Sequence, residues 1–160
     1  MNHWLLKSEP STFSIEDLQR APHKTTSWDG VRNYQARNHL RAAARGDEAF
    51  LYYSSCAEPG IVGVMRVVRT AYPDATAFDR RDPHFDERSS PDNPRWYTID
   101  VQLVRRFQRI VTLSELRAHA SGALRGLVLL APGNRLSVLP VTPAQWQFIV
   151  AMERNASPVT

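Results

Sequence analysis

Gly60-Ile61-Val62-Gly63-Val64-Met65-Arg66-Val67-Val68-Arg69-Thr70-Ala71-Tyr72 sets the organisation of the chain. The run is β-branched and too continuously apolar for a strand with one wet face, so it reads as a central strand covered on both sides. Upstream, Glu48 to Ser54 is apolar and aromatic and His3 to Lys7 is a short apolar run; both read as strands. Downstream, Tyr97, Ile99, Val101 and Leu103 alternate with Thr98, Asp100, Gln102 and Val104, the period-two pattern of a half-buried strand. Arg135 to Leu139 follows the Pro132-Gly133-Asn134 turn and reads as a last strand.

Helix starts punctuate these strands. Ser14 with Asp17 reads as an N-cap over a short helix from about Ile15 to Arg20, with Phe13 and Leu18 as its hydrophobic staple. Thr112 with Glu115 forms a capping box flanked by Val111 and Leu116. Thr142 with Gln145 forms another, flanked by Val141 and Trp146, with Pro143 at the first helical position. The last helix is predicted over Pro143 to Glu153, with Trp146, Ile149 and Val150 as its buried stripe. A further helix is predicted over Val31 to Ala44, with Ala36, Leu40, Ala43 and Ala44 facing inward and Gly46 stopping it. Strands and helices mix without a repeated βαβ alternation, so the class is α+β, with a mostly antiparallel, curved sheet or small barrel and packed helices. Tyr72 to Pro94, rich in Pro, Asp and Arg, reads as a long exposed loop.

A chain of 160 residues fits one domain, here residues 1–155 with a C-terminal tail at 156–160. With 42% hydrophobic and 22% charged residues, the composition excludes a disordered or collagen-like chain. No apolar stretch approaches a membrane span, and no signal peptide is evident, so a soluble cytoplasmic protein is expected. The net charge of +4 permits an anionic partner without requiring one. Lys7 and Lys24 are the only lysines among 20 basic residues, and arginine suits bidentate contacts to phosphates or base edges.

Enzyme signatures are missing: there is no phosphate loop, nucleophile elbow or HExxH. His3, His23, His39, His84 and His119 are scattered, and Cys56 stands alone, so no multi-cysteine zinc site is possible. Asp79, Asp82, His84, Asp86 and Glu87 form an oxygen-rich loop, but Arg80, Arg81 and Arg88 interleave with them, so a self-paired loop is expected rather than a metal site. Neither metal nor cofactor is expected. Binding chemistry is more evident. Trp28-Asp29-Gly30-Val31-Arg32-Asn33-Tyr34-Gln35-Ala36-Arg37-Asn38 is dense in aromatic and large polar groups. Asn33, Arg37 and Arg41 fall at steps of four, on one helical stripe, and with Arg45 would form a basic ridge able to follow phosphates. Asn33, beside Trp28 and Tyr34, has an amide suited to a base edge. Tyr52-Tyr53-Ser54-Ser55 and Lys7-Ser8-Glu9-Pro10 each end a strand with groups suited to one unstacked base.

Trp4-Leu5-Leu6-Lys7-Ser8-Glu9-Pro10 and Trp28 to Asn38 resemble the EVE-domain family. So do Tyr53-Ser54, Pro59-Gly60-Ile61-Val62-Gly63, Ala71-Tyr72-Pro73-Asp74, Pro94-Arg95-Trp96 and Arg135-Leu136-Ser137-Val138. The ordered set covers residues 3 to 150. The family often has His or Asn within the Tyr53-Ser54-Ser55 stretch, and Leu139 replaces the polar residue that commonly follows its Leu-Ser-Val. The resemblance implies a PUA-like pseudo-barrel, related to PUA, ASCH, YTH and SRA domains, and a non-enzymatic module that captures a modified base in DNA or RNA. The expected base pocket is Ser8, Glu9, Trp28, Asn33, Tyr53, Ser54 and Trp96, and the expected phosphate contacts are Lys7, Arg32, Arg37 and Arg41. Trp28→Ala is expected to weaken binding without unfolding. Two alternatives stand beside this: a hydrolase or deaminase with Glu9 as general base in a desolvated cleft, and a small-molecule or protein-interaction module using the same pocket.

Overall fold

In the computed structural model, residues 1–155 are described; the predicted tail at 156–160 lies outside them. The elements run β1 (His3–Ser8), α1 (Ile15–Arg20), β2 (Thr25–Ser27), α2 (Tyr34–Ala42), β3 (Glu48–Tyr53), β4 (Gly60–Pro73), β5 (Tyr97–Thr112), α3 (Leu113–Ala118), β6 (Val138–Val141) and α4 (Pro143–Arg154). The strands form one sheet in the order β2-β5-β4-β3-β1-β6. β4 lies between β5 and β3, but it is not covered on both sides throughout as expected: Arg66, Arg69 and Thr70 in its second half are exposed. Every pairing is antiparallel except β1 with β3. The class is therefore α+β, with a mixed, mostly antiparallel sheet.

Repeated register shifts along the β4–β5 ladder, at Ile61/Gly63, Val64/Met65, Val67/Arg69 and Arg69/Tyr72, bend these two long strands. Gly63 lets α1 seat on the bend: a Cβ there would lie 2.7 Å from Ile15 Cδ1 and 2.8 Å from the Arg105 carbonyl oxygen. The core fills the concave side, with Phe50, Leu5, Leu6, Leu18, Leu40 and Met65 all inaccessible to solvent. Trp146 of α4 stacks on Phe50 with ring centroids 3.8 Å apart.

All three capping devices form. Ser14, Thr112 and Thr142 accept from the backbone three residues on, and Asp17, Glu115 and Gln145 reach back to the cap amides. Three boundaries and one buried stripe differ from expectation. α2 starts at Tyr34 rather than Val31, because the Asn33 side chain accepts from the Ala36 amide and is itself the N-cap. It ends at Ala42, leaving Ala44 exposed and Arg45 off the helix, so the predicted stripe of Asn33, Arg37, Arg41 and Arg45 is only partly helical. β6 starts at Val138 rather than Arg135, and Pro140 is tolerated in it because β6 is an edge strand. On α4, Met152 is buried with Trp146 and Ile149, while Val150 is half-buried.

The stretch from Tyr72 to Pro94 is not a wholly exposed loop. Ala75–Phe78 makes a turn of 3-10 helix, and Asp74, Ala77 and Ser89 are buried. The sheet order explains where a site can form. Parallel pairing brings the carboxyl ends of β1 and β3 to one rim, where the Ser54 amide donates to the Ser8 carbonyl at 3.0 Å.

Candidate functional site

At that rim lies a cavity of about 810 Å³ lined by Lys7, Ser8 and Glu9 after β1, Thr12 and Phe13 before α1, and Thr26 to Gly30 along and after β2. Ser54, Ser55, His84, Arg135 and Ser137 complete it. β2 stands at one end of the sheet order, while Arg135 and Ser137 lead into β6 at the other. A single cavity touching both ends requires the sheet to curl round on itself, which is the barrel-like curvature expected.

Its walls divide by chemistry. Trp28 and Phe13 form the aromatic part, packed edge to face with centroids 6.3 Å apart and planes at 87°. Trp4 and Trp96 donate their indole N–H groups to Asp47 and Asp86, whereas that of Trp28 has no protein acceptor among the described residues. The rest is polar. Ser8 Oγ donates to the Phe13 carbonyl at 2.7 Å, which fixes the hydroxyl and leaves its oxygen as an acceptor. The Lys7 stem is half-buried, with Nζ 5.9 Å from the Tyr52 ring centroid, and burial pushes its ammonium below the ordinary lysine pKa. The Asp29 carboxyl is pushed up, by desolvation first and by the Asp74 carboxylate second.

The Trp28-to-Asn33 stretch makes sense residue by residue. Trp28 is wall and Val31 is core. Gly30 adopts φ +80, and a Cβ there would lie 2.7 Å from His84 Nε2. Asn33 caps α2. Arg32 uses all five of its N–H donors inside the protein: Nε and Nη2 to the His84 carbonyl, Nη1 to the Val31 carbonyl and Asp74 Oδ2, and Nη2 also to Thr76 Oγ1. Asp74, 1% exposed, accepts in turn from the Gly30 amide at 2.8 Å and from the Thr76 amide and hydroxyl. Burial pushes the Asp74 carboxyl up, but these donors outweigh it and hold it below the ordinary carboxylate range. The Arg32–Asp74 pair thus fastens the loop carrying His84 against the Trp28 wall.

Gly30→Ala is therefore expected to destabilise the fold by about 1–2 kcal/mol through the left-handed backbone alone. It should also displace His84. Thermal melting and the His84 ring proton resonances check both effects.

The EVE-domain sequence pattern matches residues 2–152. The chain belongs to the EVE-domain family. Thymocyte nuclear protein 1 of Homo sapiens is 47% identical over 169 residues, spanning 96% of this chain and 75% of that protein. A crystal structure of human THYN1 in complex with DNA containing 5-methylcytosine matches with a TM-score of 0.94 at 45% identity, covering 98% of this chain and all of that one. A crystal structure from Pseudomonas putida matches at 0.90 with 49% identity, covering 94% of this chain and 99% of that one. The YTH domain of Zygosaccharomyces rouxii MRB1, at 13% identity and a TM-score of 0.52 over 99% of this chain and 88% of that one, shares the fold.

This EVE domain gathers five of the predicted site residues, Lys7, Ser8, Glu9, Trp28 and Ser54, in one cavity. Three predicted pocket residues lie outside its lining. Asn33 is the helix cap; Tyr53 Oη accepts from the Ile15 amide at 2.9 Å at the start of α1; Trp96, 6% exposed, donates to Asp86 and stacks on Tyr34. Arg32 has no donor left for a phosphate. Arg37 and Arg41 sit on α2 outside the cavity, over the rings of Tyr34 and Tyr97. Sequence reasoning missed Thr12, Thr26 and Ser27 of the lining; Ser55, Arg135 and Ser137 lay in stretches it singled out without entering the expected pocket, and Phe13, Asp29, Gly30 and His84 were given other roles. Glu9 is exposed, which is not the desolvated setting a general base was expected to need.

The acidic loop is held by its own contacts. Asp79 accepts from the Arg81 amide, Asp82 from the His84 amide and Asp86 from the Arg88 amide. No cluster of three His, Cys, Asp or Glu residues among those described is placed to hold a metal ion, and no helix among them is long and apolar enough to cross a membrane.

Proposed function

We propose that this EVE domain is a non-enzymatic nucleic-acid-binding module that admits one modified base to the Trp28–Phe13 cavity. The observation that carries the reading is the cavity itself: about 810 Å³, aromatic on one side and hydroxyl-rich on the others, in a chain 45% identical to a protein crystallised with 5-methylcytosine DNA. Methylated cytosine in DNA is accordingly the first ligand to test. Extruding a base costs a few kcal/mol of lost stacking and pairing, and stacking on Trp28 returns roughly 1–3 kcal/mol. The remainder must come from hydrogen bonds at the base edge, because each buried polar atom of the base left unpaired costs about 1–3 kcal/mol. Ser8, Glu9, Ser54, Asp29 and Ser137 are the edge-reading candidates, and Lys7 and Arg135 are the phosphate candidates at the mouth.

One buried methyl is worth about 0.8 kcal/mol, so a 5-methylcytosine oligonucleotide is expected to bind about fourfold more tightly than its cytosine counterpart. Fluorescence anisotropy with matched single- and double-stranded oligonucleotides measures this. Equal affinity for methylated and plain strands, across modified cytosines and adenines and at every salt concentration, would reject the reading.

A further inference from the structure

A line of arginine and aromatic side chains runs outward from the cavity wall. It starts at the cavity wall, where Arg32 holds the His84 carbonyl and lies 5.5 Å from the Trp96 ring centroid. Trp96 stacks on Tyr34 at 4.9 Å and 24°. Arg37 lies 4.8 Å from the Tyr34 centroid and donates to the Arg95 carbonyl at 3.0 Å, and Arg95 Nη1 reaches Tyr34 Oη at 3.5 Å. Beside them Arg41 lies 4.6 Å from the Tyr97 centroid. Tyr34 is 52% exposed, and among the described residues only Met1 is a more exposed large hydrophobic side chain.

Beyond Arg32, the arginines of this line, Arg37, Arg41 and Arg95, have no carboxylate within ion-pair distance among the described residues, whereas Arg32, Arg105, Arg106 and Arg109 each pair with one. The rings of Tyr34 and Tyr97, 4.8 and 4.6 Å from the Arg37 and Arg41 guanidinium carbons, restrict these side chains, which lowers the entropy lost when they bind a partner. Cationic forks fixed at intervals, with an exposed aromatic ring between them, fit a nucleic-acid strand: phosphates meet the arginines, and a base or sugar meets Tyr34.

We propose that Tyr34, Arg37, Arg41 and Arg95 form a track for the nucleotides flanking the base held in the cavity. The inference rests on the reading of that cavity as a base site. It makes the ligand a strand rather than a free nucleoside, and it places part of the affinity in residues that do not distinguish one base from another.

The test compares the intact protein with Tyr34→Ala, Tyr34→Phe and Arg41→Gln. The probes are a short oligonucleotide with a central 5-methylcytosine, its unmethylated twin, and the free nucleoside 5-methyldeoxycytidine. Tyr34→Ala should weaken both oligonucleotides roughly fivefold or more, and Tyr34→Phe should bind them as the native protein does. Arg41→Gln should lower the slope of log affinity against log salt by roughly 0.7–0.9. All three variants should keep the native methyl preference, the native nucleoside affinity and the native melting temperature. Native oligonucleotide affinity in both Tyr34→Ala and Arg41→Gln would overturn the track while leaving the cavity reading intact. Weakened variants of a protein with no methyl preference would overturn the cavity reading instead.

Discussion

Replacing Trp28 with alanine is expected to remove base affinity and about 3–5 kcal/mol of stability together. The ring is 8% exposed and belongs to the hydrophobic core, packed edge to face against Phe13, while the same side chain lines the cavity. The expectation from sequence, that alanine would spare the fold, therefore does not hold. For a chain of this size the stability loss corresponds to a drop in melting temperature of roughly 10–15 °C. Loss of the stacking surface should weaken oligonucleotide binding roughly 5- to 150-fold. Trp28→Phe separates the two roles, because it keeps an aromatic ring in the core and removes the indole N–H that has no protein acceptor. It should melt near the native protein and bind at intermediate strength. An unchanged melting temperature in Trp28→Ala would contradict the burial argument.

The second large effect is expected at Asp74. Asp74→Ala strands the Arg32 guanidinium and frees the Gly30 amide, at a cost of about 3 kcal/mol, toward the low end for a broken buried pair because Arg32 remains 22% exposed. The pH dependence follows from the direction of the shift. The folded-state pKa of Asp74 lies below the unfolded value of about 3.9. Its contribution is therefore fully present above that value and is lost as pH falls through the folded-state value. Melting curves from about pH 6 downward should show the native protein losing stability below about pH 4, with this component missing in Asp74→Ala. Ligand binding should weaken in the variant even at neutral pH, because the loop carrying His84 is no longer fastened to the wall.

These residues also show what could be read from the chain. The helix starts at Ser14, Thr112 and Thr142 were legible because a capping box is complete within four residues. The central place of β4 was legible from its β-branched run, but the expectation that it has no wet face fails in its second half, where Arg66, Arg69 and Thr70 are exposed. The start of α2 was misplaced for a local reason as well. The Asp29-Gly30 turn resembles a helix start, and Val31 and Arg32 extend the helical periodicity, so the N-cap role of Asn33 was hidden behind its suitability for a base edge. β2 is three residues long, too short to show any period. The role of Arg32 depends on Asp74, 42 residues away, and no local signal announces it. The cavity draws on segments around residues 7–13, 26–30, 54–55, 84 and 135–137, which only the parallel β1–β3 pairing and the curl of the sheet bring together. Family resemblance and strand-end chemistry pointed to residues 7–10, 28–30, 54–55 and 135–137; Thr12, Thr26, Ser27 and the place of His84 required the fold.

The most direct measurement is the nitrogen–proton correlation spectrum of the protein titrated with an oligonucleotide bearing one 5-methylcytosine. Entry of the base into the cavity predicts the largest shifts at the Trp28 indole N–H and at the amides of Gly30, Ser54 and Ser137, with smaller shifts along Tyr34, Arg37 and Arg41. Shifts confined to other surfaces, with the Trp28 indole and these amides unmoved at saturation, would contradict it.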